Sequence, residues 1–432
     1  MARLPLNALQ VFQLLRFATT LSIGILLAKF FRLPTEEIAT YEILLFLANF
    51  LSFFWIGGVQ KTLLSQYHRA SISADALIIK LVVLLLVLGI VAGGLLYIFS
   101  DYLVATLTQY EQLPYLGYVS LYLLLDSPTT LIEFLYLLRK EDRLIIRYGI
   151  ILFFLRLCVV LIPLSLGCSL EWIFLSLVGW SVFKICWLGY LIKKSFGNLL
   201  RKLADWGQWQ LILYSVLPLS LHGLLGGGME YVDGWIVSSY FSEVEQFAIF
   251  RYGARELPLV TILTAALVAT LIPKMVENQE LSLQEMRQSI DRLSDWLFPV
   301  SIVLVGISPY LFPVVYNEDF RESATVFNIY LLIISSRILL PQVIIYAHQH
   351  NSVLVYSAIV ELVVNLFLSI YFVRRFGLPG IAFATVIAYW INKIILIMYN
   401  YRTFNIPFTA YLSIKKYLIY NFLLLLAFYY AY

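Results

Sequence analysis

The sequence predicts an all-α, polytopic membrane protein of about 12–13 transmembrane helices, arranged as two six-helix lobes around a central cavity. Three observations predict it. Of 432 residues, 61% are hydrophobic and only 13% charged, with a mean hydropathy of +0.85; soluble domains carry about a quarter charged residues. Apolar runs long enough to span a bilayer, roughly 20 residues each, recur along the whole chain and leave no stretch for a sizeable soluble domain. An even number of helices in each half gives both halves one orientation, as in transporters whose halves are related by an axis along the membrane normal.

The elements follow in order. The first span covers 11–31; Arg16 interrupts the apolar core that a signal peptide would need, and no small-residue cleavage site stands out, so this segment stays as a helix. Spans at 41–62, 77–100, 115–138, 148–167 and 170–192 complete an N-terminal lobe, residues 1–192. The charged stretch "KKSFGNLLRKLADWGQ" is a cytoplasmic linker, 193–208. The segment 209–240 is too long for a simple span and contains "GLLGGGMEYVDG", so a break is expected at Gly226, Gly227 and Gly228. Spans at 246–273, 293–312, 326–347, 353–373 and 380–400 close a C-terminal lobe, 209–400. The extension 401–432 carries a candidate thirteenth helix at 414–432. Cys158, Cys168 and Cys186 sit in apolar surroundings without metal-ligand spacing and read as small buried hydrophobes.

Basic residues set the orientation, because cytoplasmic loops carry the excess of Lys and Arg. With the N-terminus in the cytoplasm, the inner connections and their borders hold 18 basic residues and the outer loops 4, namely Arg32, Arg321, Arg374 and Arg375. The expected location is therefore a membrane, crossed many times. The basic residues are spread over many short loops rather than one patch, which argues against a nucleic-acid partner. Eight lie inside predicted spans: Arg16, Lys29, Arg156, Lys184, Arg251, Arg255, Arg337 and Lys393. An arginine at a helix centre costs roughly 2.5–3.5 kcal/mol on insertion scales, so these side chains are expected to face protein or water.

Helix seven opens "ILYSVLPLSL" and continues through "YVDGWIVSSYF" to "EQFAIFRYGARELPL" and "LIPKM". Later come "YLFPVVYNEDFRESATVF" and "ELVVNLFLSIYFVRRFGLPGIAFATVIAY". This order resembles the polysaccharide flippases of the multidrug/oligosaccharidyl-lipid/polysaccharide exporter superfamily, the Wzx-type O-antigen transporters. The resemblance implies a substrate of oligosaccharide on polyprenyl diphosphate, flipped to the outer leaflet by alternating access.

Arg251 and Arg255 are spaced i, i+4, which on a helix puts them on nearly one side. Guanidinium groups grip phosphate oxygens in a forked geometry. Arg16, Arg251, Arg255 and Arg337 are the candidate substrate-binding residues; for Arg251 and Arg255 the structural alternative is pairing to Glu256, Glu230 or Asp233, and for Arg337 a structural partner that the sequence does not name. Glu230 and Asp233, i, i+3 beyond the glycines, are candidate sites for a coupling H+ or Na+. Asp126 and Glu133 share a face at seven residues' spacing, either lining a wall or pairing internally. Glu361 and Asn365 suggest helix-to-helix hydrogen bonds. Two other functions compete. A drug exporter of the same superfamily would want acidic cavity walls for organic cations, whereas arginines dominate here. A membrane enzyme such as a polysaccharide polymerase needs a large extramembrane loop, and "HQH" at 348–350 is too short and isolated for a metal centre. No cofactor and no catalytic residue are implied.

Overall fold

The computed structural model describes residues 8–67, 73–110, 113–139, 141–195 and 206–431; among them no strand occurs. Arg3, Arg69, Lys140, Arg201 and Lys202, all counted toward the inner side, lie outside the described residues. Nine described helices are long and apolar enough to cross a membrane, or eleven when each of two bent pairs counts as one span. The chain is thus an all-helical, polytopic membrane protein.

It divides into two compact units, Met1–Tyr231 with Phe241–Val244, and Val232–Tyr240 with Glu245–Tyr432. In the first unit α1 (Ala8–Ile25) ends in a π turn at Leu26–Phe30. Then come α2 (Thr35–Phe50), α3 (Phe53–Gln66), α4 (Ala74–Ile98) and α5 (Ser100–Leu107). Next, α6 (Leu116–Asp126) and α7 (Ile132–Leu138) are joined by a 3-10 turn at Ser127–Leu131. The helices α8 (Asp142–Ser165) and α9 (Leu170–Ser195) follow, and then α10 (Trp206–Tyr240), whose last residues belong to the second unit. Ser73 caps α4 by accepting from the Ala76 amide, supplying one of the bonds that the first turn of a helix lacks. Phe12, Leu77, Leu81, Leu85, Leu131 and Ile132 are among the buried residues of one core.

The span expected at 41–62 is bent by 50° between α2 and α3. The Ser52 hydroxyl donates back to the Ala48 carbonyl at 2.8 Å, a local bond that bends helices. Trp55 Nε1 then donates to the Leu51 carbonyl at 2.7 Å, satisfying an acceptor freed at the bend. The break expected at Gly226–Gly228 takes the form of a bend of 56° between Trp206–Leu225 and Gly227–Tyr240, while the backbone stays helical through the glycines. Glycine lacks a Cβ to resist such a bend, and a Cβ on Gly227 would come within 3.2 Å of the Phe53 ring.

The second unit continues with α11 (Val244–Gly253), α12 (Pro258–Glu277), α13 (Gln279–Val315), α14 (Arg321–Leu331) and α15 (Ile334–Arg337). The chain closes with α16 (Gln342–Ala347), α17 (Asn351–Phe376), α18 (Leu378–Phe404) and α19 (Ile414–Ala431). Two expected spans are interrupted. The segment 246–273 opens at 254–257, where Leu257 is extended at φ −66, ψ 116 because the ring of Pro258 excludes the residue before it from helical dihedrals. The segment 326–347 becomes three short helices, with i to i−3 bonds at Leu332 and Ile333 and Pro341 beyond α15. Residues 293–312 fall inside α13, whose 37 residues run about 55 Å at 1.5 Å per residue, well beyond one bilayer. The candidate thirteenth helix forms as a helix, α19, which is not among the helices counted above as long and apolar enough to cross a membrane; Tyr417 anchors it by donating to the Ser335 carbonyl at 2.6 Å. All three cysteines are free, but none is buried as expected: Cys158 and Cys168 are half-buried and Cys186 is exposed, since a lipid-facing helix surface accepts an apolar thiol as readily as a core does.

Candidate functional site

Each unit carries its own set of intramembrane charges. In the first unit, Arg16 of α1 donates through Nη2 to Oε1 of Glu133 on α7 at 2.9 Å. The carboxylate is buried, with 3% of its side chain exposed, whereas 46% of the arginine side chain is exposed. The guanidinium carbon also sits 5.2 Å from the Phe12 ring centroid. One nitrogen of the fork is thus engaged, and no other hydrogen bond of the guanidinium occurs among the described residues. Asp126 at the end of α6 pairs with Lys184 of α9 and accepts from Ser181 at 2.9 Å. Asp126 and Glu133 therefore take the internal-pairing alternative. Arg156 meets the Tyr41 hydroxyl, while its buried Nε has no hydrogen-bond partner among the described residues.

In the second unit the helical spacing of Arg251 and Arg255 is lost. Arg251 is half-buried in the last turn of α11, which ends at Gly253, and Arg255 lies in the non-helical link. The helix stops where its backbone is pressed against α14: a Cβ on Gly253 would come within 2.4 Å of the Ser323 carbonyl oxygen. The Arg255 guanidinium rests 4.9 Å from the Tyr252 ring, a cation–π contact. Arg337, at the end of α15, is gripped as a fork: Nε donates to Oε2 of Glu256 at 3.0 Å and Nη2 to Oε1 at 2.7 Å. The Arg337 guanidinium carbon lies 4.1 Å from the Tyr389 ring centroid. The pair is partly open, with side-chain exposures of 30% for Arg337 and 20% for Glu256.

Asp233 of α10 is buried and collects donors from three elements. Tyr330 of α14 donates to Oδ2 at 2.8 Å, Thr385 of α18 to the same oxygen at 2.6 Å, and Asn365 Nδ2 of α17 to Oδ1 at 3.1 Å. Asn365 also donates to Thr385 Oγ1 at 3.0 Å. Two acceptors are left over on one face of α17: Asn365 Oδ1 and Ser369 Oγ are buried without a hydrogen-bond partner among the described residues. Glu230, by contrast, is exposed. Glu361 accepts from Asn392 at 2.8 Å, the helix-to-helix bond expected of it. The sequence did not single out Tyr330, Thr385 or Tyr389. Their one signal was position, as polar groups inside apolar segments, and hydroxyls are too common there to stand out.

The sequence model of the lipid II flippase MurJ family matches residues 202–432, more than half of the 432-residue chain. The chain belongs to the MurJ family. The matched region includes Arg251, Arg255, Arg337, Glu230 and Asp233, whereas Arg16 precedes it. Among solved structures, the lipid II flippase MurJ in an inward closed conformation is 16% identical; the alignment covers 97% of each chain, with a TM-score of 0.64. An inward-facing multidrug resistance MATE family transporter of the MOP superfamily is 13% identical over 92% of this chain and 98% of its own, with a TM-score of 0.63. At such identities these likenesses show the fold. No curated protein matches. MurJ membership places the chain among the lipid-linked flippases of the superfamily that the sequence resembled, a family of transporters rather than enzymes.

Proposed function

We propose that the chain flips a polyprenyl-diphosphate-linked saccharide across the bacterial inner membrane by alternating access, N-terminus in the cytoplasm, with intramembrane arginines gripping the diphosphate. The observation that carries this reading is Arg16: half-exposed, anchored by a single nitrogen, and still holding most of its fork for an anion. Arg251 and Arg255 flank the opening between α11 and α12 and are the further candidate cations. Arg337 belongs to the same set on the condition that Glu256 yields to the incoming phosphate. Family membership favours a lipid II-type glycan; the O-antigen unit of the sequence resemblance shares the same diphosphate and differs only beyond it. A drug-cation cargo fits poorly beside an open guanidinium.

Asp233 is the proposed seat of the coupling H+ or Na+. Its buried carboxylate, with the unused oxygens of Asn365 and Ser369 on the adjoining helix face, offers the hard oxygen ligands that such cations take. Glu230, exposed, has the weaker claim.

The test is flipping in vivo. In cells depleted of their own lipid II flippase, the chain is expected to restore lipid II to the outer leaflet. Arg16→Ala is expected to lower that signal by about tenfold or more at equal expression, since a charge-assisted hydrogen bond contributes about 1.5–3 kcal/mol. Rescue only of cells lacking an O-antigen flippase would assign that unit instead, and rescue of neither would sink the proposal. Flipping that survives collapse of both proton and sodium gradients would remove the ion-coupling part.

A further inference from the structure

The Asp233 cluster and the Arg337–Glu256 pair share two elements of the second unit. On α18, Thr385 bonds to Asp233 while Tyr389, one turn further, lies against Arg337. On the other side, Tyr330 and Arg337 stand seven residues apart on α14 and α15, across the break at Leu332 and Ile333. Tyr330 is the residue that belongs to both sites. Its hydroxyl is spent on Asp233. Tyr330 also lines a small pocket of about 10 Å³, room for a single water, together with Glu256, Leu257, Val260, Ile334 and Arg337.

We infer that Tyr330 is the positioning residue through which cation occupancy at Asp233 controls anion capture at Arg337. The inference rests on the functional reading above and adds to it the link between the two charges. Oδ2 of Asp233 already accepts two hydroxyl protons, from Tyr330 and Thr385. A cation arriving at that oxygen meets the positive ends of both O–H dipoles, so at least one hydroxyl must turn away or withdraw. Thr385 is held in the body of α18, where its side chain also receives Asn365. Tyr330 sits two residues before a break in its helix, where the backbone is not locked into a continuous ladder, so it is the one of the two able to move. Its displacement reshapes the wall against which Glu256 and Arg337 are paired. Neutralising Asp233 also removes a negative charge from the same unit, which favours an incoming anion. Both effects have one sign: cation occupancy strengthens diphosphate capture, and by linkage the diphosphate strengthens the cation by the same factor.

The experiment measures the affinity of the full-length chain in detergent for farnesyl diphosphate, in sodium chloride and in choline chloride of equal ionic strength. A second comparison, without sodium, sets acidic against neutral buffer to read the proton as the cation. The wild-type chain is expected to bind about 5-fold or more tightly with the favoured cation, the lower end of typical coupling. Tyr330→Phe keeps the ring but not the hydroxyl, and is expected to bring that ratio to about one, whatever it does to either affinity alone. Thr385→Val is expected to weaken the cation while keeping the ratio at saturating cation, which a merely structural role for the cluster would not reproduce. A wild-type affinity indifferent to both cations overturns the inference, as does a Tyr330→Phe chain that keeps the ratio. Failure of farnesyl diphosphate to bind, or an affinity unmoved by both Arg16→Ala and Arg337→Ala, overturns the diphosphate reading itself and the inference with it.

Discussion

Arg337 and Glu256 stand 81 residues apart in the chain and meet as a two-bond fork. The sequence singled out the arginine because a guanidinium inside an apolar run is costly. It offered Glu256 only as a partner for its neighbours in the chain, since pairing across two interrupted helices leaves no periodic trace. The same holds for Asp233, legible as an intramembrane acid, whose donors come from three separate elements. A double-mutant cycle on Arg337→Ala and Glu256→Ala, read by thermal unfolding in detergent, is expected to give a coupling of about 1.5–3 kcal/mol, the range for hydrogen bonds to charged groups. Either single variant should unfold at lower temperature than the double, because each strands one charge in a partly buried site. Additive effects would show that the fork contributes nothing beyond its parts. Arg337→Lys should recover only part of the loss, since an ammonium keeps the charge but not the fork.

At the scale of elements, hydropathy located the spans because each turns an apolar surface outward to lipid as well as inward. It did not locate the interruptions, which depend on backbone chemistry and tertiary fit. Pro258 does more than kink a helix: with Leu257 extended, Arg255 leaves the helix altogether. Ser52 bends α2 from α3 through one side-chain bond, and serines occur too often in such segments for this one to be noticed. Gly253 shows how tightly the second unit depends on such a point. Gly253→Ala would press a Cβ within 2.4 Å of the Ser323 carbonyl oxygen and 2.7 Å of Val326 Cβ. Overpacking of this kind costs about 1–3 kcal/mol, so a melting temperature several degrees lower is expected. Gly306→Ala, inside α13 with nothing within 4 Å of the new Cβ, is expected to be neutral or stabilising by up to about 1 kcal/mol, because alanine is the better helix former. Equal behaviour of the two variants would mean that α11 and α14 do not pack as closely as the structure shows.

At the scale of the whole molecule, orientation rests on a charge asymmetry that belongs to no single helix. The retention of Lys and Arg on the cytoplasmic side acts within about 15–20 residues of helix ends, and nearly all loops here are that short. The proposed orientation places Arg375, in the last turn of α17, outside the cell. It places Glu285, near the start of α13 and paired with Lys274, in the cytoplasm. Both side chains are exposed, so each can report by chemical access. In a chain freed of its three cysteines, Arg375→Cys is expected to react with a membrane-impermeant thiol reagent in intact cells. Glu285→Cys is expected to react only after the membrane is opened. The reverse pattern would invert the molecule and place the N-terminus outside. Labelling of both from the same side would leave the orientation undecided by charge and require an odd number of crossings between Glu285 and Arg375 to be replaced by an even one. The two interrupted segments make that count worth measuring: in the proposed orientation α14 to α16 together carry the chain across once, although none of the three is long enough to do so alone.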